Sequence, residues 1–371
     1  MKKMIKMSLV AAVAVAGLTT TSSAAKLTDA IKNTDVTGYV RYRYTNTDTT
    51  NETNQYKVDL RISSKVNDKV TAKIRTKTST TVDGNGDDGA ANPMQITEAN
   101  FVANIAGTTV IAGKQGLPTP FADADDQSGS GLVAVKPLGA VTVAGGFFTN
   151  ASLGDDDASV RPFQTGYANG HNIAALAAIG KANVVNYAVW YANISESSNK
   201  IGAQAVNVNL KAKVGKVNVE LNTASVDYST TANGAGVNDQ AQTRLVVASK
   251  VSNVTVAGAV LVAGKDGADV TLGDTDAKAN FKIESFSGSI LRDTVAYYVM
   301  ASAPVGPVTA KVEYGYTADT NGAAAGDTDA SETKISASYK MSKNFNVSAF
   351  QTIESGALND DITRVEVKYT F

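Results

Sequence analysis

The sequence predicts an all-β fold: a transmembrane, antiparallel, up-and-down β-barrel of about 18 strands, with 16 possible. Three observations predict this fold. The N-terminus has the pattern of an export signal, apolar and polar residues alternate through the rest of the chain, and the final stretch is amphipathic and ends in Phe371. Apolar residues make up 43% of the chain, yet after the N-terminus no uncharged apolar run approaches the roughly 18 residues that a membrane helix needs.

The first 25 residues have the pattern of a cleaved signal peptide. Three lysines precede an apolar stretch over residues 9–18, and small residues occupy positions 23–25. We therefore expect the protein to be exported and residues 1–25 to be removed. A short periplasmic helix is expected over 26–35, where apolar residues have helical spacing, and the barrel over 36–371.

Alternation with period two begins at residue 36 and predicts strands with one apolar and one polar face. Along the second predicted strand, Val58 and Leu60 lie on one face and Asp59 lies on the other. The predicted strands span 36–44, 56–66, 70–76, 95–105, 107–116, 131–137, 140–149, 171–180, 183–194, 201–212, 214–228, 241–251, 253–263, 293–302, 307–317, 333–341, 344–353 and 361–371. So many strands enclose a lumen too wide for side chains to fill, so polar faces should line a wet lumen and apolar faces should contact lipid.

The connections between these strands alternate between short and long. This alternation is typical of outer-membrane barrels, which have short periplasmic turns and long external loops. An even number of strands places both ends of the barrel on the periplasmic side. The segment 281–290 resembles a strand, but counting it in the wall would make the number odd, so we assign it to a large external loop over 264–292.

The last strand carries the most specific single motif. Val367, Tyr369 and Phe371 alternate with the polar residues Lys368 and Thr370. A terminal aromatic residue, with a second aromatic two positions earlier, resembles the signal by which bacterial outer-membrane barrels are recognised for assembly. We expect Tyr369 and Phe371 to act as this signal. The implied partners are the barrel assembly machinery, outer-membrane lipid and lipopolysaccharide.

The composition argues against catalysis. The chain has no cysteine and a single histidine, His171, which excludes thiolate metal sites and any site that needs two imidazoles. A net charge of −1 does not indicate a nucleic-acid partner. We expect no enzymatic activity, no cofactor and no metal centre. The run 83–88 resembles part of a calcium loop, but Met94 replaces the glutamate of the twelfth position, which leaves loose divalent binding as a possibility.

Three stretches resemble the major outer-membrane porin family of Campylobacter and its relatives. They are 30–44, 109–115 and, together with the closing strand, 344–350. The resemblance implies an 18-stranded, homotrimeric, general-diffusion porin that passes ions and small hydrophilic solutes. This chain is shorter, poorer in aromatic residues and richer in alanine than that family. The alanine-rich stretch 174–178 could supply a subunit contact.

In general porins the third external loop folds into the lumen and narrows it. Here that loop lies near 116–130 and carries Asp123, Asp125 and Asp126. The inward faces of the first three strands carry mainly basic residues, which we expect to face the loop across the constriction. They are Arg41, Arg43, Lys57, Arg61, Lys73, Arg75 and Lys77, with Asp59 among them. Such a pair of charged surfaces would order water and penalise apolar solutes.

Two features of the sequence have opposite expected effects on ion selectivity. Acidic residues in the predicted external loops, at 155–157, Asp266, Asp269, Asp274 and Asp276, concentrate cations. The basic wall has the opposite effect. We predict a weak preference for cations.

Other functions remain open on the sequence. A substrate-specific channel would show an aromatic slide or a solute site, and a barrel with long loops could also serve as an adhesin. An outer-membrane hydrolase is disfavoured, because His171 stands in no catalytic motif.

Overall fold

The computed structural model describes residues 33–49, 52–83, 94–153, 169–195, 202–229, 238–273, 276–318 and 329–371. They form one closed sheet of 18 strands: β1 (Thr34–Thr47), β2 (Thr53–Lys65), β3 (Val70–Asp83), β4 (Gln95–Ile105), β5 (Thr108–Gly116), β6 (Ser128–Leu138), β7 (Val141–Ser152), β8 (Asn169–Ala182), β9 (Val185–Ile194), β10 (Ala203–Val214), β11 (Val217–Tyr228), β12 (Gln240–Val251), β13 (Val254–Ala263), β14 (Val295–Val305), β15 (Val308–Thr317), β16 (Ala330–Lys340), β17 (Phe345–Gly356) and β18 (Ile362–Thr370). Each strand pairs antiparallel with its neighbours in sequence, and β18 pairs with β1. The predicted fold class is confirmed.

The observed bounds differ from the predicted ones mainly at the N-terminus. β1 begins at Thr34, so the last two residues of the helix expected over 26–35 belong to the wall. The rest of that helix up to residue 32, and the signal peptide, lie outside the described residues. The segment 281–290 lies in the connection after β13, as predicted, and ends in a 3-10 turn over Gly288–Ile290. Within the described part of the chain, no helix has the length and apolarity to span a membrane.

On β1 to β3, the two faces of the wall follow the prediction. Val40, Tyr56 and Ile74 point outward and are exposed, as a lipid-facing surface requires. The alternate residues point into the lumen, where Asp59 and Arg75 are buried among other charged side chains. The period of two therefore separates lipid contact from luminal charge along these strands.

On β6 to β11, much of the luminal face is apolar, although Asn207 and Asn222 also lie on it, where Asn207 Nδ2 donates to Asn222 Oδ1 at 2.8 Å. The expectation of a polar lumen is therefore wrong for a large part of these strands. Val133, Phe148, Ile173 and Val226 point inward, and each is at most 5% exposed. They belong to one buried cluster that also includes residues from two loops inside the barrel, so this part of the lumen is filled rather than wet. The alternation misleads here because it cannot show that a loop covers the inner face.

Gly38 of β1 lies close to both neighbouring strands, β18 and β2. Its N–H donates to the Phe371 carbonyl oxygen at 3.1 Å, and the Phe371 N–H donates to the Gly38 carbonyl oxygen at 3.0 Å. A Cβ atom at Gly38 would fall 2.1 Å from the Asp59 carbonyl oxygen. Tyr369 and Phe371 lie at the seam between β1 and β18, with ring centroids 6.1 Å apart. Their role in assembly stays a prediction.

Candidate pore constriction

Two loops fold into the lumen and contact each other there. The third loop, residues 117–127, joins β5 to β6, and the seventh loop, residues 264–294, joins β13 to β14. Leu272 N–H donates to the Phe121 carbonyl oxygen at 2.7 Å, and Ala279 N–H donates to the Pro120 carbonyl oxygen at 2.7 Å. The sequence predicts only the third loop as a constriction. The seventh loop, expected to be external, also folds inward and contacts the third loop.

The first half of the third loop is apolar and is buried against the barrel interior, and its second half is acidic and reverses the chain direction. Leu117 and Phe121 are at most 1% exposed, and burying each stabilises the inward position by roughly 1.5–3 kcal/mol. The loop then turns back at Asp123, whose Oδ1 accepts a hydrogen bond from Asp125 N–H at 2.8 Å. Gln127 holds the third loop to two other segments, because its Nε2 donates to the carbonyl oxygen of Leu153, just after β7, at 2.6 Å and to that of Leu272, in the seventh loop, at 2.7 Å.

The acidic half of the third loop meets the basic wall of β2 and β3. Asp125 lies 2.9 Å from Arg75 and 3.3 Å from Arg61. Asp126 lies 3.4 Å from Lys57 and also pairs with Lys77, which donates a second hydrogen bond to the Asp125 carbonyl oxygen. The structure therefore brings two of the three predicted aspartates onto predicted basic residues.

These charges change the acidity of Asp126. Burial raises its pKa. The hydrogen bond from Lys77 and the charges of Lys77 and Lys57 lower the pKa by more than burial raises it, so the pKa lies below its ordinary value. Asp126 is therefore ionised at neutral pH and holds the loop to the wall.

Arg75 is the centre of the basic wall. Its guanidinium is 3% exposed and pairs with Asp59, with Glu98 at 3.4 Å and with Asp125. Asp59 also binds Arg61 at 3.2 Å, yet the Arg61 side chain stays 48% exposed. Arg75 is thus fixed by its partners, whereas Arg61 is accessible to a passing solute.

The other predicted basic residues do not contact the acidic loop. Arg43 pairs with Glu366 of β18 at 2.9 Å, and Arg41 lies 3.8 Å from the same carboxylate and donates to Gln55. Lys73 lies two positions before Arg75, toward the periplasmic turn, and is exposed. Sequence reasoning missed Glu366, although its place opposite Arg43 follows from pairing the two ends of the predicted barrel.

Asp123 faces the seventh loop instead of the basic wall. It lines a cavity between the two loops together with Asp276. Burial raises the pKa of Asp123, and the nearby charges of Asp126, Asp125 and Asp276 raise it further, while the hydrogen bond from the Asp125 backbone opposes them. Asp123 is therefore the more easily protonated of the two shifted aspartates in the third loop.

The far end of the seventh loop is fastened to the wall on the side of β16 and β18. Glu284 pairs with Lys334 at 2.7 Å and with Arg364 at 2.6 Å. Burial raises the pKa of Glu284, but the charges of Arg364 and Lys334 outweigh it, so the pKa lies below its ordinary value. Glu332 adds two contacts by accepting hydrogen bonds from Ser285 and Phe286 N–H at 2.8 and 2.7 Å.

The charged groups that remain accessible have both signs. Asp125 is 58% exposed, Asp276 is 62% exposed and Arg61 is 48% exposed. Among the described residues, no group of three or more histidine, aspartate or glutamate side chains is placed to hold a metal ion. The calcium-loop-like run 83–88 lies outside the described side chains. The arrangement can filter solutes by size and by charge, because loops and charged side chains meet at one level of the lumen.

A closed 18-stranded antiparallel barrel with loops folded into a charged lumen defines a porin-type channel of the outer membrane. Residues 1–368 match the family model of the Campylobacter major outer membrane protein. The chain belongs to this family, which confirms the resemblance seen in its motifs.

Solved structures of similar fold are outer-membrane proteins of Pseudomonas aeruginosa. The outer membrane protein OpdK has a TM-score of 0.72 and 16% identity, covering 92% of this chain and 99% of that chain. OpdK with vanillate has a TM-score of 0.72 and 17% identity over the same shares. OccK2 (OpdF) in complex with glucuronate has a TM-score of 0.69 and 14% identity, covering 91% and 96%. At such low sequence identities, the structural similarity shows a shared fold. No curated protein is significantly similar to the chain.

Proposed function

We propose that this outer-membrane porin is a passive, non-enzymatic, general-diffusion channel for ions and small hydrophilic solutes, with a weak preference for cations. The observation that carries the proposal is the pairing of charges around the third loop. Arg75 and Lys77 are buried and compensated by Asp59, Asp125 and Asp126. Their positive charge is therefore largely neutralised before a permeating ion meets it.

The carboxylates are the more accessible charges at this level. Asp125 and Asp276 are each more than half exposed, so a permeating cation can approach them in water. Arg61 and the exposed Lys278 are opposing charges, which keeps the expected preference weak.

Liposome swelling tests the proposal. Vesicles carrying the protein should swell in neutral sugars at rates that fall smoothly with solute size, without saturation. Reversal potentials in a KCl gradient should show a small excess of cation current. Swelling that saturates for one solute, or an excess of anion current, would contradict general diffusion or the predicted sign.

A substrate-specific channel is the second candidate, and one observation favours it. The third and seventh loops enclose a cavity beside the constriction, and small-molecule sites are usually enclosed cavities of this kind. Structures of two proteins with the same fold contain vanillate or glucuronate. Swelling assays with competing solutes separate this candidate from the first, because only a specific channel would saturate.

A further inference from the structure

We infer that the cavity between the third and seventh loops is a binding subsite for small organic cations that carry an aromatic ring, such as aryl-alkyl ammonium ions. The inference rests on the proposed function only in that the solute reaches the cavity through the lumen. The cavity has a volume of about 570 Å³, which lies within the range of roughly 300–1,000 Å³ typical of small-molecule sites.

One side of the cavity is apolar and includes an aromatic ring. Its lining includes Leu117, Pro118, Pro120 and Trp190. Trp190 points inward from β9 and packs against the buried apolar cluster, so its position is fixed by its neighbours. Indole is the strongest aromatic partner for a cation and stacks with aryl groups. This side of the cavity therefore suits an aromatic body better than a sugar.

The other side of the cavity carries more carboxylates than cations. Asp123, Asp125 and Asp276 line it together with Lys278. Asp125 is compensated by Arg75 and Arg61, and Asp276 pairs with Lys282 at 2.7 Å. Asp123 lies near Asp126, Asp125 and Asp276, and burial together with these negative charges raises its pKa, although the hydrogen bond from the Asp125 backbone opposes them. A bound ammonium group would relieve this repulsion.

Binding can be measured directly because Trp190 is the only tryptophan of the chain. The full-length protein in detergent micelles is titrated with 2-phenylethylammonium while its tryptophan fluorescence is followed. We expect a saturable change. The anion 3-phenylpropionate has the same scaffold with the opposite charge, and ethylammonium lacks the ring, so both should give little or no change.

Variants locate the site. Asp123→Asn keeps the oxygen that accepts the Asp125 N–H but removes the charge, and it should weaken binding roughly tenfold. Asp266→Asn is the matched control, because Asp266 is an exposed aspartate of the seventh loop, the partner of the third loop in this cavity, and does not line the cavity. It should bind like the unmodified protein. An equal response to 3-phenylpropionate, no saturable response to the ammonium ion, or equal weakening in both variants would overturn the inference.

Swelling in neutral sugars separates failure of the subsite from failure of the channel. Swelling without ammonium binding rejects the subsite and leaves the proposed porin standing. Ammonium binding without swelling supports the subsite and rejects the porin.

Discussion

Arg75 illustrates how a single residue holds the third loop against the wall. A buried guanidinium requires compensation, and Asp59, Glu98 and Asp125 supply it from two strands and a loop. Arginine suits this position because its planar fork donates in several directions, which a lysine ammonium does not reproduce. The residue therefore ties the third loop to the wall through contacts distant in sequence.

Neutralising the acidic half of the third loop should shift selectivity toward anions. In Asp125→Asn with Asp126→Asn, Arg75 and Lys77 lose their loop partners and their positive charge acts on permeating ions. We expect a roughly twofold fall in the cation-to-anion permeability ratio, measured from reversal potentials. Asp266→Asn is the control, and unchanged selectivity in the double variant would remove these aspartates from the filter.

Acidification should discharge Asp123 before Asp126. The pKa of Asp123 is raised, mainly by burial, so Asp123 gains its proton at a higher pH than an ordinary aspartate. The pKa of Asp126 is lowered by Lys77 and Lys57 against the effect of burial, so its stabilising ion pair persists until the pH falls below the ordinary aspartate range.

As the pH is lowered, cation preference should therefore begin to fall with the protonation of Asp123. Asp126 should lose its charge later than Asp123. Reversal potentials measured against pH give the profile. Asp123→Asn should lack this early fall, and a variant profile identical to that of the unmodified protein would reject the assignment.

At the scale of elements, Glu284 clamps the seventh loop to the wall. Glu284→Gln leaves Lys334 and Arg364 without their shared carboxylate, whose side chain is 15% exposed. We expect a loss of roughly 1–3 kcal/mol, below the full value for a buried pair because some exposure remains. Single-channel records should show more frequent current fluctuations as the loop leaves the wall.

The control for Glu284→Gln is Glu220→Gln. Glu220 pairs with Lys211 at 3.2 Å within the wall, so its loss should change the unfolding temperature without adding current fluctuations. Equal noise in both variants would contradict the clamp.

The pairing of β1 with β2 should be sensitive to side-chain size at Gly38. In Gly38→Ala, the added Cβ would lie 2.1 Å from the Asp59 carbonyl oxygen, so β1 must shift relative to β2. We expect a smaller fraction of heat-modifiable, folded barrel on gels. Gly258→Ala is the control, because its Cβ would meet only the Tyr298 carbonyl oxygen at 3.7 Å. Equal folding of the two variants would show that the pairing of β1 with β2 tolerates the shift.

Strands and loops differ in how far sequence predicts them. The strand predicted over 95–105 is observed as β4, Gln95–Ile105, because alternation is a local signal. The inward course of the seventh loop depends on Phe121 and Pro120, about 150 residues away along the chain, and no local pattern encodes that contact. Its apolar residues, such as Leu272 and Phe286, were the available sign, since an external loop has no reason to carry them.

The same limit applies to the candidate site. The pairing of Asp125 and Asp126 with basic residues follows from loop order and strand alternation, both readable in the sequence. The separation of Asp123 from this group does not, because it depends on the direction in which the loop turns at Asp123.

At the scale of the whole molecule, the lumen has two unlike halves. One half carries ion pairs on β1 to β3 and β16 to β18, and the other holds an apolar cluster beneath the third and seventh loops. The loops are thus fixed by burial on one side and by charge on the other. Salt should weaken the charged attachments and leave the apolar one intact.

We propose that the barrel forms a homotrimer through the alanine-rich outer face of β8. Ala175 and Ala177 point into the lumen and are buried, so only their neighbours, including Leu176 at 62% exposure, can contact another subunit. The chain has no cysteine, so Leu176→Cys introduces a single thiol for cross-linking in native membranes. Val299→Cys, exposed on β14, is the control. Cross-linking at both positions alike, or at neither, would argue against this face.

The apolar half of the lumen sets a limit on engineering the channel as a nanopore. Deleting the third and seventh loops would widen the lumen, but it would also expose the inward-facing side chains of Val133, Phe148, Ile173 and Val226. Water wets such a surface poorly. The widened pore would conduct less than its cross-section suggests. A wider pore built on this barrel therefore needs polar residues on the inner face as well as shorter loops.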